Sequence, residues 1–183
     1  AKVCWHSPRN ASRNSRTADT QRLVPPVFSP SLFSMQASLT PQQLAEHVRT
    51  AMYANDGASQ ALGMQVVAIS PTSATVTMTV RADMLNGHAT CHGGFITALA
   101  DSAFAFACNA GNEMTVASGL SIDFLAPGRE GDVLTAEGVE VSRAGRTGVY
   151  DVTVRNQRGE LIAVFRGRSY TMKGRQTVAL PQH

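Results

Sequence analysis

The sequence predicts an α+β fold in which one long buried helix is covered by a curved antiparallel sheet. Three observations carry this. Residues 95–107, from Phe95 to Ala107, are apolar almost all the way round a helix, and such a helix needs cover on every side. Before and after it, apolar residues recur with period two, the spacing of strands with one buried face. The links between those strands are of hairpin length, which antiparallel neighbours can use and parallel ones cannot.

The elements follow in order. Residues 1–34 are rich in Ser, Arg and Pro without periodicity, so they are expected to be a disordered or non-native leader. Met35 directly precedes a well-formed helix start, and a domain over 35–173 is expected from there. Thr40-Pro41-Gln42-Gln43 combines an N-cap, a first-turn proline and a capping-box Gln. Leu44, Val48, Ala51 and Met52 continue at helical spacing, and Gly57 is expected to close the helix in a left-handed cap. A hairpin follows, with Val66, Val67 and Ile69 before the turn Pro71-Thr72-Ser73 and Ala74, Val76, Met78 and Val80 after it. Then come the loop 81–91 and the buried helix. Four strands are read beyond it, at 114–124, 133–143, 147–156 and 161–172, and the polar stretch 174–183 is expected to be a flexible tail.

Charge is unevenly placed. The formal net charge is +3, yet Lys2, Arg9, Arg13, Arg16 and Arg22 stand against Asp19 alone in the leader, leaving the rest at −1. A near-neutral body gives no footprint for nucleic acid. No run approaches the roughly twenty apolar residues of a membrane helix. Cys4, Cys91 and Cys108 form no metal-ligand spacing, and an odd set of thiols fits a reducing, cytoplasmic setting. Cys91 beside His92 reads better as a small residue in a tight loop than as a nucleophile with its base.

The chemistry is concentrated in MLNGHATCHGGFITALADSAFAFACN, residues 84–109. Together with AMYANDGASQALGM, IDFLAPGREGDVLTAEG and TGVYDVTVRNQRGELIAVFRGRS, it resembles the hotdog-fold acyl-CoA thioesterases, most closely the bacterial phenylacetate-pathway type. The resemblance covers about Ala51 to Ser169 and leaves out 1–34. It implies a homodimer with a continuous sheet, two such dimers forming a tetramer. It implies hydrolysis of an aryl- or phenylacetyl-type CoA thioester with Asp101 as the catalytic carboxylate, and Asn55, Asn86, His92 and Gly93 as the other site residues. It implies neither a metal nor an organic cofactor.

The residues support a reading of their own. Gly93 and Gly94 at a helix start expose amide N–H groups at the positive end of the helix dipole, a place for a polarised thioester oxygen; the alternative is a plain tight turn. Asp101 is the one ionisable group in the apolar helix. It lies eight residues, about 12 Å, beyond Gly93 at helical rise, too far to act on a carbonyl held at its own helix start. A neighbouring antiparallel helix removes that difficulty, so the spacing asks for a site shared by two chains. The carboxylate can serve as general base or as nucleophile, or else merely cap a neighbouring backbone. His92 is expected to position the loop. Arg166 and Arg168 on the last strand, and Arg143 and Arg146 at a turn, are candidates for CoA phosphates or for a solvated face. Phe95, Phe104, Phe106, Met84 and Leu85 divide between acyl pocket and core. Two competing functions remain: a hydratase or dehydratase, disfavoured because the helix holds no Glu, and a non-catalytic acyl-CoA-binding sensor, for which no DNA-binding element is present.

Overall fold

Turn chemistry decides the topology. In the computed structural model, which describes residues 39–180, Thr40 caps the first helix, α1 (Pro41–Ala54), and exchanges both capping-box hydrogen bonds with Gln43. Asn55 ends α1 at φ −107°, and Gly57 takes no left-handed φ. It opens instead a single turn, α2 (Gly57–Ala61), because the Asp56 carboxylate accepts the Ser59 N–H and so caps a new helix where a stop was expected. Strands β1 (Gln65–Ser70) and β2 (Ser73–Thr79) form the expected hairpin. The long helix α3 (Gly93–Asn109) follows, then β3 (Glu113–Phe124), β4 (Val133–Ala144), β5 (Thr147–Arg155) and β6 (Leu161–Gln176).

All six strands join one antiparallel sheet in the order β1-β2-β4-β5-β6-β3. The strand after the helix therefore crosses to the far edge, beside β6. Inward-facing Val76, Met78, Leu134, Ala136, Tyr150, Val152 and Phe165 bury Leu99, Phe104 and Phe106 of α3. Each fully covered apolar side chain stabilises by roughly 1.5–3 kcal/mol. Contact is close because Gly138 faces the helix: a Cβ there would sit 3.1 Å from the Ala103 carbonyl oxygen. Among the described residues no helix is long and apolar enough to cross a membrane.

The side of the helix that faces away from its own sheet is left half-buried in the single chain, as a stripe of Phe95, Thr97, Ala98, Asp101, Ser102 and Ala105. Of the residues divided between acyl pocket and core, Phe104, Phe106 and Met84 belong to the core, each at most 1% exposed. Residues expected as a flexible tail continue the sheet, with Gln176 pairing with Glu113. Beyond it, Asn112 brackets Val178 with two hydrogen bonds and the Thr177 hydroxyl donates to Asn109. The leader 1–34 and the start at 35 lie outside the described residues.

Candidate active site

His92 prepares the start of α3. Its backbone is extended and its Nδ1 accepts the Gly94 N–H at 2.9 Å, so it acts as an N-cap and the ring is held by the backbone. Gly94 is thereby spent as a donor. The Gly93 N–H has no acceptor among the described residues and is left at the positive end of the helix. The absence of a side chain at Gly93 lets the Phe124 ring lie against the helix start: a Cβ there would sit 2.9 Å from Cζ of Phe124 and push that ring aside. The expectation that both glycines offer donors thus narrows to Gly93.

Asn86 sits in the loop before the helix. Its Oδ1 accepts from the His88 N–H at 2.8 Å and from the Thr90 N–H and hydroxyl at 3.3 and 3.2 Å. Two backbone donors fix which end of the carboxamide is oxygen, so Nδ2 is the end turned outward. It has no acceptor among the described residues. A cavity of about 500 Å³ is lined by Asn86, Thr90, Gly93, Ile96, Phe124 and Pro127, among others. Two N–H donors therefore border one apolar-walled hollow, an arrangement suited to an oxygen that gains negative charge.

Phe124, Leu125 and Pro127 had no local signal as site residues. They reach the helix start because the end of β3 turns back on it, with the Cys91 N–H donating to the Gly128 oxygen at 2.8 Å. That pairing joins segments distant in sequence. Cys91 is buried, and burial pushes its thiol up to about 11, which keeps it a thiol and removes it as a nucleophile.

Asp101 does not line this cavity. It lies on the half-buried stripe of α3, one turn beyond Thr97, whose hydroxyl is spent on the Gly93 oxygen. Its Oδ1 is shut off from solvent and has no hydrogen-bond partner among the described residues. Burial raises its pKa above the ordinary carboxylate value, as expected for a charge without compensating donors. Such a group marks a candidate site. Asn55 is also outside the cavity: exposed at the end of α1, it donates through Nδ2 to the Ala51 oxygen at 2.9 Å. One chain thus brings together Asn86, His92 and Gly93 and keeps Asp101 and Asn55 apart from them.

Arg166 and Arg168 alternate with Phe165 and Gly167, which face α3, so both cations point from the opposite face of the sheet. Arg166 is engaged by Asp151 through two bonds of 2.6 and 2.7 Å, beside a separate hollow of about 370 Å³ that no α3 residue lines. Arg168 forms no ion pair among the described residues. Arg146 is held on Tyr170, and Arg143 lies between Glu140 and the buried Tyr150.

Comparisons with known proteins agree with this architecture. Residues 88–163 match the thioesterase superfamily. The acyl-coenzyme A thioesterase PaaI of Escherichia coli K12 is 48% identical over 124 residues, covering 68% of this chain and 89% of the relative. The solved structure of the E. coli PaaI protein from the phenylacetic acid degradation operon matches with a TM-score of 0.73 at 45% identity, over 74% of this chain and 99% of that one. A mutant of the phenylacetic acid degradation protein PaaI from Thermus thermophilus matches with a TM-score of 0.62 at 41% identity, over 64% and 100%. With a relative nearly half identical over most of its length and the same helix-in-sheet architecture beneath it, this chain belongs to the hotdog-fold thioesterase superfamily.

Proposed function

We propose that the protein hydrolyses an acyl-CoA thioester, of aryl- or phenylacetyl type, to the free acid and CoA. The observation that carries the proposal is Asp101: a carboxylate with one oxygen unpaired and shut off from solvent, on the open stripe of an otherwise apolar helix. The acyl class is supported by the names of the relatives, an acyl-coenzyme A thioesterase and proteins of phenylacetic acid degradation. The apolar walls beside Gly93 suit such a group.

In this reading two copies build each site. The Gly93 N–H and the Asn86 Nδ2 group of one chain hold the thioester oxygen, with His92 fixing the helix start. Asp101 and Asn55 of the other chain face the carbonyl carbon. Asp101 takes a proton from water as the hydroxide adds, the oxyanion is stabilised by the two N–H donors, and its collapse expels the CoA thiolate, which takes up a proton. Direct attack by Asp101 would instead pass through an anhydride. Arg168 is the cation of its pair left open to a CoA phosphate. A homodimer, itself paired as a dimer of dimers in the cytoplasm, completes the proposal, and the free thiols of Cys91 and Cys108 fit that compartment.

The test is a panel of phenylacetyl-, benzoyl- and linear acyl-CoA esters assayed for released thiol. Phenylacetyl-CoA is expected to be turned over fastest. Asp101→Asn is expected to lose on the order of a hundredfold or more in kcat. Label found on Asp101 after a single turnover in heavy-oxygen water identifies the anhydride path, since water labels the side chain only by opening an anhydride at the aspartyl carbonyl. Trapping with hydroxylamine reports an anhydride that opens at its acyl carbonyl. A wild type inactive on the whole panel, or an Asp101→Asn variant of full activity, would sink the proposal.

A further inference from the structure

We infer that the hydroxyl chain Ser102–Ser59–Asp56 is a positioning device for the reaction, holding the α1–α2 corner, and with it Asn55, against α3 beside Asp101. The inference rests on the hydrolase reading above and goes beyond it by assigning work to three residues outside the site.

The direction of the chain follows from proton counting. Ser59 is 2% exposed, and its Oγ lies 2.6 Å from Asp56 Oδ2. A carboxylate oxygen only accepts, so the single Ser59 proton is spent there. The contact of 3.3 Å between Ser59 Oγ and Ser102 Oγ must then be donated by Ser102. A serine within a helix ordinarily turns its hydroxyl to the carbonyl one turn back; Ser102 points its proton off α3 toward α2. A chain of donors ending on a charge is stronger than its separate links.

The placement gives this chain its consequence. α2 has five residues, too few to hold a helix without tertiary support. Its other ties run elsewhere: Gln60 Nε2 donates to the Tyr53 oxygen and the Met64 N–H to the Ser59 oxygen. The Ser59–Ser102 bond is the single hydrogen bond between α2 and α3 among the described residues. The two ends of the hydroxyl chain, Asp56 and Ser102, are chain neighbours of Asn55 and Asp101: Asn55 precedes Asp56, and Asp101 precedes Ser102. Asn55 keeps its Oδ1 without a donor among the described residues. A water poised for attack has two protons. If Asp101 accepts one and Asn55 Oδ1 the other, the lone pair is left for the carbonyl carbon. A misplacement of about 1 Å in such an arrangement can cost about a hundredfold.

Phenylacetyl-CoA hydrolysis by Ser102→Ala and Ser59→Ala tests this. Each is expected to lower kcat roughly tenfold, with KM within about twofold and melting little changed. The double variant should be no worse than either single one, because both break the same link. Ser102→Thr, which keeps the hydroxyl, should recover most of the rate. In an Asn55→Ala background, Ser102→Ala should cost nothing further, a result that a merely structural role would not produce. A kcat for Ser102→Ala within twofold of wild type, or the same tenfold loss without Asn55, overturns the inference while leaving the hydrolase reading intact if Asp101→Asn is inactive. A wild type without thioesterase activity overturns both. Hydrogen exchange at the α2 amides, faster in Ser102→Ala, reports the loosened corner independently of rate. Unchanged exchange would also overturn it.

Discussion

Asp101 carries an energetic cost that the proposed chemistry would explain. Its folded-state pKa is raised by burial, with no donor to Oδ1 to offset it. A group with a higher pKa in the folded than in the unfolded chain favours folding in its protonated form. That contribution is fully present below the ordinary carboxylate value, about 3.9. It is lost as pH rises through the raised folded value, so the ionised side chain costs stability at neutral pH. Asp101→Asn keeps the shape and removes the charge. It is expected to melt higher than wild type at pH 7 and alongside it in acid below the carboxylate range. Calorimetry across pH reads this directly, and a lower melting temperature for the variant at pH 7 would mean that the carboxylate is held by contacts that stabilise it. Asp101 stood out in the sequence because an acid inside an apolar run has few readings. His92 stood out less, and its part as N-cap follows from the extended backbone before Gly93. Asn55 carries no local mark: an Asn that ends a helix looks the same with or without a further task.

At the scale of elements, period and turn chemistry were legible where contacts are local. The capping box of α1, the β1–β2 hairpin and the register of β4 with β5 follow from short-range signals. α2 escaped because Asp56-Gly57 reads as a stop until the Asp56 carboxylate is seen to cap the next turn. That α3 would have a side its own sheet does not reach was legible from its all-round apolar composition, but which residues form that side was not, because composition reports how apolar a helix is and not which side its sheet covers. The C-terminal stretch escaped for a third reason: its partners Asn109 and Asn112 lie far back in the chain, and a polar segment held by distant amides looks loose in sequence. Truncation after Lys173 is therefore expected to cost about 2–3 kcal/mol, from a few lost hydrogen bonds at about 1 kcal/mol each. Roughly 5–10 °C in Tm should go with it. Truncation after Leu180 should be neutral. Equal melting of the two truncated chains would return 174–180 to the status of a loose tail.

At the scale of the whole molecule, two uncovered surfaces among the described residues bear on the shared site. Strand β3 is the last of the sheet and leaves one edge unpaired, and it exposes Val116, Leu120 and Phe124 at 41%, 41% and 51%. An open edge with apolar side chains is a template for a second strand. The other unfinished surface is the stripe of α3 that carries Asp101. The proposed two-chain site closes both, and it can be tested without a structure of the assembly. Asp101→Asn removes the carboxylate, and Gly93→Val sets a branched side chain where even a Cβ would meet Phe124 at 2.9 Å, so each variant should be inactive alone. When the two are unfolded together and refolded, about half the dimers are mixed if pairing is random across a two-fold axis. In a mixed dimer one site carries both defects and the other carries neither. About a quarter of wild-type activity should therefore return, and only after the chains have exchanged. Size-exclusion chromatography of Gly93→Val alone establishes that this variant still dimerises. If it does, and no mixing ratio restores activity, then Asp101 and Gly93 act within one chain and the shared site is wrong.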